Sequence, residues 1–515
     1  MNLRSRLIEG ILYFRDTIFS TISDYICPKN QFGWHSWDPN PWRHPWLSSE
    51  NLRKVRQFSD VFLNSEKDIL RTVEPKALHV GFCGNIANSS YVRARSLRNI
   101  GIRCGIYIND QDKYCMSFPC WEEFDGTIDS SELSIYDLQK SGIDFPVVDD
   151  VHVIAERYDD RVYRDAVNSK KFRTMDIICF RSFFSQLPLL EEMQSCDVLW
   201  GAQYPQFAYL ANRPYVVSQV GGDAWFEASR QDALGKLMRR SFGRARVWLV
   251  SNPWSFAHAR RYGLSNLVYL PIVLDEILYA PGHGDARARW KEQVGGDFYV
   301  LTSSRLDERN KGSSIGIEGF MQFSRIAPRA RLVLIGWGAD RAMIERKIND
   351  LGLTGRVVLL PTSGKVRVRD YLRSADVFLD QFVLGYYGAA GLEAMACGLP
   401  VIGRIEEAQY DALCETGKPP ILNASGSHEV AAHLVRLFQE PGYRQMLASE
   451  SRNWFLANHG SERWLPEYAA VLAATAMRKP ANFSRSPLKR RLSRSERAYH
   501  RRGLRAAPPY PNYGW

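Results

Sequence analysis

From Lys76 onward, short apolar runs alternate with stretches of helical length. The strand-like runs fall at 77–83, 176–180, 197–203, 215–220, 247–251 and 267–272. A second series follows at 298–304, 331–336, 357–361, 376–382 and 400–403. Runs this short and this continuously apolar suit strands buried on both faces, joined by crossover helices. The pattern therefore predicts two consecutive α/β units with parallel sheets, 76–274 and 275–477. The break lies where Pro281, Gly282, Gly284, Gly295 and Gly296 cluster. Helices at 428–440 and 443–457 are expected to close the second unit, and 462–476 is another candidate helix.

Both flanks differ from this body. In 1–75, Leu3, Leu7, Ile11, Phe14, Ile18, Ile22 and Tyr25 recur in steps of three and four, which predicts an amphipathic helix stopped by Pro28. Its apolar face suits packing on the body or lying on a membrane surface. Trp34, Trp37, Trp42 and Trp46 then stand among prolines in an irregular aromatic segment. Beyond 477 the chain is polar and basic, and 478–515 is expected to be disordered.

Charge refines the picture only once it is located. The 515 residues carry 67 Lys+Arg against 56 Asp+Glu, a net +11. Eleven of the cations and a single acid, Glu496, lie in 478–515, so the tail holds +10 and the body is near neutral. A nucleic-acid-binding body is not expected, because the fold itself supplies no cationic excess. The tail, with the amphipathic helix, suits an anionic membrane surface instead. No apolar stretch is long enough to span a bilayer. Nine cysteines without a C-x-x-C pair predict a reduced, cytoplasmic protein with no structural metal. No signal-peptide core is read at the N-terminus.

In open parallel sheets, ligands bind beyond the carboxyl ends of the strands. Four junctions stand out. In DQFVLGYYGAAGLEAMACGLPVIG, the amides of Gly388, Ala389 and Ala390 are expected at a helix N-terminus, where the dipole favours an anion. Glu393, one turn in, suits vicinal hydroxyls such as those of a ribose. In SSRLDERNKG, Arg305 and Lys311 can converge on one anion, or can be solvated surface cations. In FCGNIANSS, Gly84, Asn85 and Asn88 form a polar turn, with Ser89 a candidate cap for the helix after it. In SQVGGDAW, Asp223 either caps a helix or positions substrate hydroxyls. Asp110 and Asp112, one apart in INDQD, also have the spacing of a metal-diphosphate site; the helix and cation pair would make such a metal redundant.

Together SSRLDERNKG, PRARLVLIGWG, GLEAMACGLPVIG and VVSQVGGDAW resemble family 4 of the nucleotide-sugar glycosyltransferases, over about 77–475. The resemblance implies the GT-B fold of two facing Rossmann-like domains. It implies an enzyme that transfers a sugar with retention from a nucleotide-sugar donor to a glycan, lipid-linked or other hydroxyl acceptor, without metal or cofactor. Arg305 and Lys311 match the residues that hold the leaving diphosphate, Glu393 the ribose-binding glutamate, and Gly388 and Ala389 the phosphate-binding amides. The turn at Gly84, Asn85 and Asn88 matches the acceptor-side loop. One departure stands out: eight positions before Glu393 the family usually has a second glutamate, and this chain has Gly385. Asp380 or Gln381 is the expected substitute. The departure also leaves open a catalytically silent nucleotide-binding or scaffold protein. Where relatives carry a histidine, GAQYP offers Gln203, so no titrating base is expected there.

Overall fold

Apolar runs buried on both faces become parallel strands here, in two sheets. The computed structural model describes residues 44–71, 77–110, 118–128, 134–146, 148–154, 187–218, 228 and 233–505. The amphipathic pattern at 1–27, the strand-like run 176–180, Asp112 and Asp223 lie outside the described residues.

The first sheet runs β4 (Val151–Ile154), β2 (Arg103–Asn109), β1 (His79–Cys83), β5 (Val198–Gly201), β6 (Tyr215–Ser218), β7 (Trp248–Val250) and β8 (Leu267–Tyr269). The second runs β11 (Val357–Leu360), β10 (Ala330–Ile335), β9 (Phe298–Thr302), β13 (Val377–Leu379), β14 (Val401–Gly403) and β15 (Leu422–Asn423). Every pairing in both is parallel. Two short strands, β3 (Thr127–Ile128) and β12 (Thr362–Ser363), pair antiparallel outside both sheets. The sequence pattern did not single out β3, β4, β12 or β15, each of four residues or fewer.

Helix Ser461–Ala476, counted by position within the second unit, packs instead on the first sheet. Trp464, Leu465, Tyr468 and Leu472 join the core of Val80, Phe82 and Trp200. The chain thus crosses between the sheets twice. The crossings touch: the Leu274 amide donates to the His459 carbonyl at 3.1 Å.

Residues 478–505, expected as disordered tail, are ordered, and that expectation is corrected for them. Ser493 and Glu496 form a capping box: the Glu496 amide donates to Ser493 Oγ at 3.1 Å, and the Ser493 amide to Glu496 Oε2 at 2.7 Å. A helix, Arg494–Arg505, follows. Leu488 is buried, and Phe483 stacks on Phe62 with centroids 5.1 Å apart. The tail's lone acid adds to these contacts. Glu496 forms a two-pronged pair with Arg260, at 2.7 and 3.2 Å, and both side chains are buried. Burial alone would raise the Glu496 pKa, but hydrogen bonds from Arg260 and Ser493 outweigh it and hold it down at about 2. A depressed carboxylate stabilises above its unfolded pKa and loses that contribution as pH falls through the folded one. Glu496→Gln is therefore expected to loosen the docked tail by about 3–5 kcal/mol at neutral pH. The gap from wild type should close as pH drops from the ordinary carboxylate range toward 2. Amide hydrogen exchange over 487–500 reads it, and a pH-independent gap would remove the ion pair as its cause.

Candidate active site

The carboxyl ends of both sets of strands open on one cleft of about 410 Å³. Its second-sheet wall carries Arg305, Lys311, Asp380, Gly388, Ala389, Ala390 and Glu393, and its first-sheet wall Asn88, Ser89, Glu122, Ser251 and Asn252.

Lys311 is fixed by its backbone. Asp307 caps the short helix Glu308–Lys311, accepting from the Asn310 amide at 3.0 Å. Gly312 ends that helix with φ +66°, and a Cβ there would meet Val383 Cγ2 at 2.9 Å. The Lys311 ammonium donates to Gln381 Oε1 and stands beside Asp380. Burial lowers the lysine pKa, opposed by the Asp380 charge. Arg305 reaches the cleft half-buried, paired to Asp307 at 2.6 Å. Burial tends to raise the Asp307 pKa, but Asn310 hydrogen bonds and the Arg305 charge bring it below the usual carboxylate value.

Helix Ala389–Ala396 presents its N-terminus to the same point, with one correction to the expected amides. The Gly388 amide is not free: it donates to Asp380 Oδ2 at 2.8 Å, while Ser304 Oγ donates to Oδ1 at 3.1 Å. Glycine makes this possible, since a Cβ at Gly391 would sit 2.5 Å from Asp380 Oδ2. Burial raises the Asp380 pKa, opposed by Lys311 and the Gly388 amide. Ala389 and Ala390 precede the first helical bond, Leu392 N–H to the Gly388 carbonyl, and they line the cleft. Gln381 is fully buried, donating to the Tyr386 carbonyl. It thus ties Lys311 to the loop that holds Gly385.

Glu393 is buried, and one oxygen accepts from the Lys365 ammonium. Its other oxygen, Oε2, has no hydrogen-bond partner among the described residues. Burial raises its pKa, which Lys365 opposes and the Glu122 charge reinforces. A buried carboxylate oxygen without a donor to its lone pairs is costly unless a ligand supplies one. Two more cleft atoms share that state, Thr362 Oγ1 and Ser89 Oγ.

The first-sheet wall sorts the turn residues. Gly84 (φ +84°) is a backbone device: its Cβ would lie 2.4 Å from Gln203 Cβ. Asn85, upstream of the N-cap Asn88, satisfies a first-turn donor of the helix Ser89–Asn99, accepting from the Tyr91 amide at 2.8 Å. Ser89 does not cap it. Gln203 accepts from the Asn85 amide at 3.1 Å and braces the turn. Of the three predicted turn residues, only Asn88 lines the cleft, donating to Glu122 Oε1 at 3.3 Å. Asp110 is buried, with its carbonyl accepting from the Tyr136 amide. No cluster of three potential metal ligands occurs among the described residues.

Sequence reasoning missed Lys365, Glu122 and His459. Lys365 follows a strand-end junction, PTSGK, so the rule that found the others applies to it equally. His459 lines the cleft, and burial lowers its pKa to about 4. Its Nδ1 faces the Ile272 carbonyl at 2.6 Å, so that nitrogen carries the proton and Nε2 accepts from the Tyr387 hydroxyl at 2.8 Å.

Residues 285–454 match the family described as glycosyl transferases group 1. The chain is 30% identical over 159 residues to alpha-monoglucosyldiacylglycerol synthase of Acholeplasma laidlawii, covering 30% of this chain and 38% of that protein. It is 30% identical over 179 residues to a GDP-mannose-dependent alpha-(1-6)-phosphatidylinositol dimannoside mannosyltransferase of Mycobacterium tuberculosis, covering 34% and 44%. The matched stretch thus spans less than half of either relative. Among solved structures, Anabaena Alr3699/HepE in complex with UDP and glucose superposes with TM-score 0.54 at 14% identity, over 77% of this chain and 99% of its own. Sucrose-phosphate synthase from Thermosynechococcus elongatus gives 0.52 at 15%, over 78% and 98%. The two facing parallel sheets are therefore the GT-B fold, with the match to the glycosyl transferases group 1 family falling on residues 285–454 of its second unit.

Proposed function

We propose that this chain is a glycosyltransferase, moving a sugar from a nucleoside diphosphate to a hydroxyl acceptor in the cleft. One observation carries the reading. Arg305 and Lys311 converge with a helix N-terminus at one end of a wall, and Glu393 offers a buried, unpartnered oxygen further along it. The first group suits a diphosphate and the second a ribose diol. The sugar then lies between them and Asn88, Ser89, Ser251 and Asn252 of the acceptor wall.

Transfer develops positive charge at the anomeric carbon and negative charge on the departing phosphate oxygen. Lys311, Arg305 and the Ala389 and Ala390 amides supply fixed positive potential for the second, in a site that excludes much of the water. No acid stands at Gly385, so Asp380, within reach of Lys311 and Gly388, sets the charge balance there. We assign retention of configuration, with the leaving phosphate taking the acceptor proton. Lipid-directed relatives and the basic tail favour a membrane glycolipid acceptor, met from the cytoplasmic face. The eleven cations of 478–515, whose single acid is held by Arg260, suit an anionic leaflet.

Incubating the protein with a panel of nucleotide sugars, and following released nucleotide and product by mass spectrometry, tests the reading. Absence of both turnover and nucleotide binding would sink it. A silent nucleotide-binding protein is the second reading, favoured by the Asp380 carboxylate already seated on the Gly388 amide. Nucleotide binding without donor hydrolysis or transfer selects it. Activity is also expected to persist in excess EDTA, because side-chain cations and amides do the work of a metal. Loss restored by manganese or magnesium would return attention to Asp110 and Asp112.

A further inference from the structure

We infer that the strand pair β3–β12 is a latch over the nucleoside end of the cleft, which must part each time nucleotide enters or leaves. This rests on the donor reading above, because the gated ligand is the donor nucleotide.

The pair joins the two units directly. Thr127 faces Ser363 and Ile128 faces Thr362, in antiparallel register. The Gly364 amide donates to the Gly126 carbonyl at 2.9 Å, extending the ladder. Thr362, Ser363 and Lys365 line the cleft on the wall that holds Glu393, and Trp121 and Glu122 line it from the other unit. The strands therefore close the end assigned to the ribose.

Two features hold the latch shut. On one side Trp121, Phe124, Ile128 and Leu138 form a separate buried apolar cluster. On the other, Glu122 is almost fully buried and gathers donors from three places. Asn88 Nδ2 reaches Oε1 at 3.3 Å, and the Tyr279 hydroxyl reaches Oε2 at 3.0 Å. Arg369, itself buried, pairs with the carboxylate at 3.4 Å and donates to the Glu122 carbonyl at 3.0 Å. Asn88 belongs to the acceptor-side turn, Tyr279 to the crossing segment, and Arg369 to the helix Lys365–Ser374 that starts with the Glu393 partner. Glu122 is thus a positioning residue that registers both walls at once.

Glycine makes the contact possible. A Cβ at Gly364 would lie 2.1 Å from the Phe124 carbonyl oxygen, so a larger residue forces the strands apart. The register also offers a lock. With Gly364 and Gly126 hydrogen-bonded, Thr127 and Ser363 form the neighbouring non-hydrogen-bonded pair, whose side chains are close enough for a disulfide.

The test uses the full chain, with UDP and GDP as probes. The variant Thr127→Cys/Ser363→Cys, oxidised without nucleotide, is expected to slow uptake at least 100-fold. Oxidised with nucleotide bound, it should retain that nucleotide through gel filtration, and dithiothreitol should restore exchange in both cases. Gly364→Ala is expected to speed nucleotide dissociation at least tenfold with an unchanged far-ultraviolet spectrum, and decides the matter if the double variant does not fold. Exchange at the wild-type rate in the oxidised variant, or an unchanged dissociation rate in Gly364→Ala, overturns the latch alone. Failure of the wild-type protein to bind either nucleotide overturns the donor reading, and the latch with it.

Discussion

Lys311→Ala is expected to lower turnover by about 100-fold, the effect of removing one preorganised charge donor from a leaving group in a dry site. Arg305→Ala should cost less, on the order of tenfold, because its guanidinium is half-exposed and already shared with Asp307. The lysine variant carries a second consequence. Lys311 is the cation beside Asp380, a carboxylate 5% exposed that burial already pushes toward protonation. Without the lysine, Asp380 must take up a proton or stand as an uncompensated buried charge, and the second domain weakens. Lys311→Ala/Asp380→Asn should therefore regain thermal stability while turnover stays low. Steady-state kinetics with thermal unfolding of both variants separates the effects. A stable Lys311→Ala protein with wild-type turnover would remove the leaving-group assignment. Turnover rescued by the double change would show that the charge of Asp380, and not the loss of a cation at the phosphate, had done the damage.

Local signals were legible in the sequence and long-range ones were not. Arg305, Lys311, Gly388 and Glu393 were found because each sits at a strand-to-helix junction, where chain order alone fixes proximity to the cleft. Lys365 stands at such a junction too, but its pairing with Glu393 spans 28 residues and that of Arg369 with Glu122 spans 247, and nothing local marks either pairing. Asp380 was found as a candidate, but its seat on the Gly388 amide depends on the space that Gly391 leaves. That space is a tertiary fact. The strands of the sheets were readable where a continuous apolar run carries them, even at three residues as in β7 and β13. The pair β3–β12 has two residues a side, too few for any periodicity. Helix Ser461–Ala476 shows the same limit: its apolar face was evident, but not which sheet would receive it. The tail is a different case. Its composition argued for disorder, whereas Ser493-x-x-Glu496 is a helix-start signal readable from sequence, and the buried Arg260 that gives Glu496 its purpose is not.

Glu393→Gln is expected to weaken nucleoside diphosphate binding by ten- to a hundredfold, the loss of a charged hydrogen bond worth about 1.5–3 kcal/mol. The carboxylate is shaped for that task. One oxygen is spent on Lys365, which fixes the rotamer, and the other is buried with no partner among the described residues. An amide can keep one acceptor but turns the second position into a donor, so a ribose hydroxyl that donated to it must rotate or leave. Donor sugar and free nucleotide should weaken in parallel, because the contact lies on the nucleoside and not on the reacting carbon, and turnover at saturating donor should change little. Lys365→Met gives the control. It frees the first oxygen and leaves a buried carboxylate without its cation, so Glu393 protonates more readily and binding should become pH-dependent above the ordinary carboxylate range. The sign follows from the ligand: the ionised form is the better acceptor for a diol, so affinity should rise with pH as Glu393 ionises. Calorimetry of nucleotide binding to both variants across a pH series reads this. Unchanged affinity in Glu393→Gln would return Glu393 to holding Lys365, and the ribose would have to be sought elsewhere along the wall.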